Sequence, residues 1–409
     1  MSENKIYVAA PDIFFNIFIF KKKRPCNSKA MKSFIAVTVF FLTVILSISH
    51  ISAQNIADSL TDEMRSKILN TFKHFTFDFY IDAYENFTLN DSKDTSSIVP
   101  FSSNCPVAQQ TRLNVAALEI YYNAEKVRGK FSLQYGDAPN LLASANYQWI
   151  NTIRQANFGF RIVKNLWIDF GYIFNPVGYE SSWCVLNQIS FVTVGGYFEP
   201  GSVLGAKLSY KFSEKFSGGI MVGDPFSIAY AQNTHKAGIM FFTYTPLNNL
   251  SITYNNFFGN QALKNAQRKN NILYNNLIVT YDPVRNFELV GQLDFGAQSN
   301  SQMAPDTNET ASMFSGFIQA SYTFNQHFSV SGRYEFLNDP DGFLTGVNAL
   351  TNRGLRTNGF GLSFEYKPVK IGFLRLAYRN MESYPGSLEF YSNTSDVMQS
   401  IIITTGVRF

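Results

Sequence analysis

From Phe75 to Phe409 the chain returns again and again to a two-residue alternation, and one phase of it carries no charge. The runs Phe75-Phe77-Phe79-Ile81, Leu166-Ile168-Phe170-Tyr172-Phe174, Leu204-Ala206-Leu208-Tyr210-Phe212 and Phe360-Leu362-Phe364-Tyr366 show the pattern, and eight others share it. The opposite phase holds Asp78, Asp82, Lys130, Arg161, Asp169, Lys207, Glu288, Asp294, Arg333, Glu335, Glu365, Arg375 and Arg379. A period of two is the side-chain period of a β-strand, so the phases are the two faces of a sheet. A Lys or Arg facing lipid at mid-bilayer costs roughly 2–4 kcal/mol, and several would exceed the stability of an ordinary fold. Segregation this strict is what lipid demands; a soluble sheet with one wet face has no need of it.

The connections sort by length. NAEK (Asn123–Lys126), VKN (Val163–Asn165), SEK (Ser213–Lys215), PLNN (Pro246–Asn249), DPVRN (Asp282–Asn286), NQH (Asn325–His327) and KPVK (Lys367–Lys370) each join two alternating runs, as hairpin turns do. Between these hairpins lie longer polar stretches, the longest being Asn86–Gln110 and Asn175–Gly201. Short and long connections alternate down the chain, as in a barrel through an outer membrane, with short periplasmic turns and long outer loops. The expected fold is therefore all-β: a transmembrane antiparallel up-and-down barrel of about 16 strands, spanning residues 73–409. Runs that finish in Tyr or Phe, such as Tyr172, Phe212, Tyr281, Phe324 and Tyr366, supply the aromatic girdles. The runs Arg112–Tyr122 and Lys236–Tyr244 are less regular, and pattern alone leaves their facing open.

Composition agrees once the leader is set aside. The 40 Phe and 22 Tyr favour strands, and a mean hydropathy of −0.08 is too polar for a bundle of membrane helices. Ser33–Ala53 is a long uncharged apolar run that follows Met31–Lys32 and ends in small residues, the form of a secretory signal at residues 31–53. Residues 1–30 then read as an upstream extension, and 54–72 as a short periplasmic segment with helical character. Removing residues 1–53 takes 7 of the 34 Lys and Arg and 2 of the 30 Asp and Glu, leaving 27 and 28. The net charge falls from +4 to −1, so no basic stripe remains for nucleic acid. Cys105 and Cys184 remain as a pair compatible with one disulfide, and neither has a partner at metal-ligand spacing.

FDFYIDAY (Phe77–Tyr84), LWIDFGYIFNPVGYES (Leu166–Ser181), YFEPG (Tyr197–Gly201) and YEFLNDPDGF (Tyr334–Phe343), closed by Phe409, together resemble the OmpL-like putative β-barrel porin-2 family. The resemblance spans Phe75 to Phe409 and implies a pore in the outer membrane of a Gram-negative bacterium. A terminal Phe also resembles the signal read by the barrel insertion machinery, which makes that machinery and outer-membrane lipid the expected partners.

Sixteen strands leave an aqueous channel rather than a filled interior. The first expectation is thus a passive channel for small hydrophilic solutes, lined by the thirteen charges named above. The third long loop carries WCVLNQISFVTVGGYF, and Trp183, Phe191, Tyr197 and Phe198 should not be left to water. Folding inward to constrict the lumen would hide them; packing over the rim or on a neighbouring copy, in a homo-oligomer, would too. The lumen charges are mixed in sign, so weak ion selectivity is expected, with Arg375 and Arg379 as the local anion-attracting pair. A second expectation is a transporter of hydrophobic solutes plugged by Ala57–Phe72, with Met64, Ile68 and Leu69 on one side. An enzyme of the barrel is a third, and it is disfavoured. His74, His235 and His327 fall in unrelated places, so no catalytic residue, cofactor or metal is assigned. NDPDG (Asn338–Gly342) lacks the further ligands of a calcium loop and reads as a turn.

Overall fold

β1 (Phe75–Thr88) pairs antiparallel with β16 (Val397–Arg408), from Tyr80 opposite Arg408 to Thr88 opposite Ser400, and this joint closes the barrel. The computed structural model describes residues 72–90, 97–141, 151–224, 236–260, 269–302 and 308–409, with Ser66, Asn70 and Ala262. The signal, the upstream extension and nearly all of the helical segment lie outside the described residues. Between the closing strands run β2 (Arg112–Asn123), β3 (Val127–Tyr135), β4 (Ile153–Val163), β5 (Leu166–Phe174), β6 (Ser202–Lys211), β7 (Phe216–Gly223) and β8 (Ala237–Leu247). β9 (Leu250–Asn260), β10 (Asn271–Val284), β11 (Phe287–Gln298), β12 (Ala311–Thr323), β13 (Phe328–Asn338), β14 (Arg356–Val369) and β15 (Gly372–Ser383) follow. Each strand pairs with its neighbours in sequence, giving a closed antiparallel barrel of 16 strands with no free edge.

The short turns fall where the sequence put them. Asn165 and Asn286 sit at φ 71° in two of them, a left-handed conformation that Asn tolerates better than most residues and that a tight hairpin needs. The first strand runs four residues beyond Tyr84, into the stretch from Asn86 expected to be loop, because Asn86 and Thr88 still find ladder partners on β16.

The uncharged phase faces outward. Phe158, Phe258 and Ile318 are 52%, 62% and 60% exposed, and the other runs behave alike. On the two irregular strands, Met240 and Tyr244 of β8 point outward, whereas Glu119 and Tyr121 of β2 turn inward toward Lys130. Near the short turns the outer rings touch edge-on or stacked: Tyr210 with Phe212 at 4.8 Å, Phe212 with Phe216 at 5.0 Å, Phe328 with Tyr366 at 5.0 Å. That is the aromatic girdle, made by residues of adjacent strands.

The interior divides along its length. Toward the short turns the inward positions are polar or charged. Toward the long loops they become apolar, with Met221, Ile239, Phe257, Ile272, Met313 and Met398 buried. Those side chains have no lipid to face; they pack against loop residues that turn back into the mouth, including Val99, Val194, Phe198, Leu344 and Phe390. The protein's hydrophobic core is therefore a layer inside the upper barrel, built jointly by wall and loops.

Candidate functional site

The third long loop, residues 175–201, leaves β5 and returns to β6 with its base tied by Asn175 N–H donating to the Gly201 carbonyl at 3.1 Å. Gly178 then adopts φ +90°, and a Cβ there would lie 1.8 Å from a Glu199 carboxylate oxygen, so only glycine fits the bend. From that bend the chain enters the barrel. Gly178 N–H donates to Asn276 Oδ1 at 3.2 Å and Tyr179 N–H to Gln292 Oε1 at 2.9 Å.

Deeper in, the loop meets the strands around the closing joint. Trp183 stacks on Tyr80 at 5.5 Å, lies under the Arg154 guanidinium at 4.2 Å, and donates from Nε1 to Gln134 Oε1 at 3.2 Å. Arg375 donates from Nη1 to the Cys184 carbonyl at 3.0 Å and from Nη2 to the Asn187 carbonyl at 2.8 Å, while it holds Glu365 at 2.5 Å. Ser190 and Thr404 share a hydroxyl hydrogen bond of 2.6 Å. Phe191 is clasped between the guanidinium groups of Arg333 and Arg379, at 4.9 and 4.8 Å from its ring. Thr193 caps the single turn Val194–Tyr197, and Val194 N–H donates to Glu335 at 2.7 Å. Glu180 receives Arg333 at 2.5 Å and both the N–H and the hydroxyl of Thr193 at 2.7 Å. Trp183, Phe191 and Phe198 are thereby buried, and Tyr197 is half-buried against Phe101 of the first loop.

This docking sorts the thirteen inward charges into two sets. Asp82, Asp294, Arg333, Glu335, Arg375 and Arg379 do point inward, but they do not line open space. Asp82 accepts from Val115 N–H and Asn114 Nδ2 at 2.9 and 2.8 Å, and Asp294 from Asn276, Gln292 and Ser315. Arg375 and Arg379, expected to attract anions, are only 2% and 1% exposed. Both sit under the loop, bonded to its carbonyls, its aromatic ring or to glutamates, because a guanidinium's fan of donors suits many fixed partners at once. Glu288 and Glu365 are likewise engaged, by Gln188 at 2.8 Å and by Arg375 and Lys367.

The second set lies beside open space, with Asp169 itself buried under Arg128. Arg128 pairs with Asp169 at 2.5 Å and covers the Trp167 ring, Lys130 pairs with Glu119 at 2.9 Å, and Lys207 stands opposite Asp169 in the ladder. Arg128, Lys130, Asp169 and Lys207, with Tyr121 and Ser209, line a cavity of about 320 Å³. Asp78 pairs with Arg408 at 2.5 Å beside the closing joint, and Arg161 with Glu125 in the first short turn. Sequence reasoning missed Arg128, Glu119 and Arg154. Arg128 and Arg154 were hidden by their places at strand starts, and Glu119 by the irregular alternation of β2.

Asp339 explains the NDPDG turn. Its carboxylate accepts from the backbone N–H groups of Phe343, Leu344 and Thr345 at 3.2, 3.0 and 2.9 Å, and from the Thr345 hydroxyl. Burial pushes its pKa up to about 6, although those donors pull the other way. Its oxygens close the loop on itself. Among the described residues no three His, Cys, Asp or Glu side chains gather as a metal-binding group. His327 lies in a short turn, bonded to the Lys367 carbonyl at 2.7 Å.

A family model described as putative beta-barrel porin-2, OmpL-like, matches residues 74–409. No curated protein matches the chain in sequence. Among solved structures, the outer membrane channel DcaP of Acinetobacter baumannii superposes with a TM-score of 0.57 at 13% identity, covering 82% of this chain and 97% of its own. An anion-selective porin from Comamonas acidovorans gives 0.53 at 9% identity, covering 82% and 99%. OmpT of Vibrio cholerae, solved in a trimer form, gives 0.53 at 10% identity over the same shares. At these identities the likeness is one of fold.

Proposed function

From the premise that the chain belongs to the putative beta-barrel porin-2, OmpL-like family, we propose a passive diffusion channel for small hydrophilic solutes whose bore is narrowed by the third loop. The chain is a porin-like channel of the outer membrane; the constriction is the finer reading. The observation that carries it is the loop's anchorage: residues 178–194 are hydrogen-bonded to β10, β11, β13, β15 and β16 from within. A segment held on so much of the circumference sets the width left to solutes. The open wall of Arg128, Lys130 and Lys207, offset in part by Asp169, is the surface that passing ions meet.

Deleting Ile189–Gly196 and recording single-channel conductance in a planar bilayer tests this reading. A larger unit conductance is expected, and an unchanged one removes the constriction role. Solute transport by a neutral-sugar panel separates open diffusion from a channel plugged by Ala57–Phe72, most of which lies outside the described residues. Outer-membrane lipid surrounds the apolar belt, and self-association into a homo-oligomer, a form in which OmpT of Vibrio cholerae was solved, is checked by cross-linking in the membrane.

A further inference from the structure

Cys105 of the first long loop and Cys184 of the third are fully buried free thiols, and they converge on one carbonyl. Both thiols donate to one acceptor, the Ser190 carbonyl, at 3.8 and 3.3 Å, and Asn114 bonds both residues at once, to Cys105 N–H and to Cys184 Sγ. A single buried cysteine is an ordinary small apolar residue. Two from loops far apart in sequence, brought to the same oxygen, need another account.

Their backbones are fixed on both sides. Asn114 Oδ1 accepts from Cys105 N–H at 3.0 Å, and Asn114 Nδ2 reaches Cys184 Sγ at 3.3 Å and Asp82 at 2.8 Å. The Cys105 carbonyl accepts from Asn86 at 2.8 Å and the Cys184 carbonyl from Arg375 at 3.0 Å. Cys105 stands at φ 53°, a left-handed conformation that a residue with a Cβ holds only when its surroundings impose it.

We propose that Cys105 and Cys184 are joined as a disulfide in the exported protein, a staple between the first and third loops. The inference rests on the outer-membrane reading, because export takes the chain through an oxidising compartment. The oxidant is a protein dithiol/disulfide carrier of that compartment. One cysteine thiolate attacks the carrier's disulfide and forms a mixed disulfide, and the second cysteine's thiolate then attacks the first cysteine's sulfur, forming the Cys105–Cys184 bond and releasing the carrier as a dithiol. Two electrons and two protons leave the cysteines, and the carrier takes both. Since neither sulfur reaches solvent in the finished barrel, the exchange takes place before the loops dock.

The test uses the full protein extracted from outer membranes, denatured without reductant in N-ethylmaleimide, digested and weighed. The expected result is a linked Cys105–Cys184 peptide with no maleimide on either residue. Maleimide on both cysteines, or a disulfide to glutathione or another chain, overturns the staple while leaving the channel reading intact. Recovery of the protein outside the outer membrane overturns both. In Cys105→Ser, Cys184 is expected to take up maleimide fully; a Cys184 still blocked would place its partner elsewhere and overturn the pairing.

Discussion

Arg375→Ala removes one of the buried anchors of the inner loop. The guanidinium makes four hydrogen bonds, two to Glu365 and one each to the carbonyls of Cys184 and Asn187, and it is 2% exposed. Its loss leaves a buried carboxylate with only Lys367 and Ser329 as partners, takes the Asn187 carbonyl's guanidinium donor away, and leaves the Cys184 carbonyl with Asn187 N–H alone. Breaking a buried ion pair from one side costs about 3–5 kcal/mol. The ladder between β14 and β15 is backbone-bonded and survives, so the loss falls on loop docking rather than on the barrel. At about 1.4 kcal/mol per tenfold, the docked-to-undocked ratio drops by roughly two to three and a half powers of ten. Single-channel recording should show frequent excursions to higher conductance, with the barrel still heat-modifiable on a gel. Arg375→Lys, which keeps the charge but cannot fork, should fall between variant and parent. A folded Arg375→Ala protein with parental conductance and noise would refute the assignment of Arg375 as the loop's anchor.

Three further outcomes are expected. Phe409→Ala removes a ring stacked on Phe79 at 5.5 Å beside the paired hydrogen bonds of 2.7 and 3.0 Å between the two residues; about 0.5–1.5 kcal/mol is lost at the closing joint. Outer-membrane yield and the temperature of heat modification should both fall, and normal values for both would remove its role in assembly. Ile318→Arg places a charge on the outward face of β12 at a cost of roughly 2–4 kcal/mol, whereas Gln319→Arg, one residue along and facing inward, should assemble better; equal assembly of the two contradicts the assigned facing. The seventh long loop should respond to pH through Asp339, whose buried carboxyl titrates near 6 against 3.8 in an open chain. The folded loop then binds the extra proton, so its stability is greatest at acid pH and declines as pH rises through 6, by about 3 kcal/mol in all. Hydrogen exchange at Phe343–Thr345, corrected for intrinsic rates, should show the protection falling between pH 4 and 7 and not doing so in Asp339→Asn.

The barrel was readable because lipid punishes error on one face of every strand. Ile318 or Leu376 replaced by a charge is costly, so the pattern stays clean and the register with it. The turns were readable for a related reason, since Asn165 and Asn286 must accept a left-handed backbone. The interior was less legible. Inward charge alone did not separate Arg375, spent on holding a loop, from Lys130, which faces a cavity, because the difference lies in where another loop comes to rest. A sign was present all the same: inward positions turn from charged to Met, Ile and Phe toward the long loops, as at Met221, Ile239 and Met398. Apolar residues on a wall that should be wet announce that something covers them.

The position of the joint between β1 and β16 has a consequence for the order of events. Ser190 is held by Thr404, 214 residues further along the chain, and Cys184 by Arg375. Contacts so distant in sequence form late, after the loop-closure entropy has been met by the strands that bring them together. The inner loop has nowhere to seat until the last two strands have joined. An unfinished barrel is therefore wider inside than a finished one, and narrowing of the bore reports that the ring has closed.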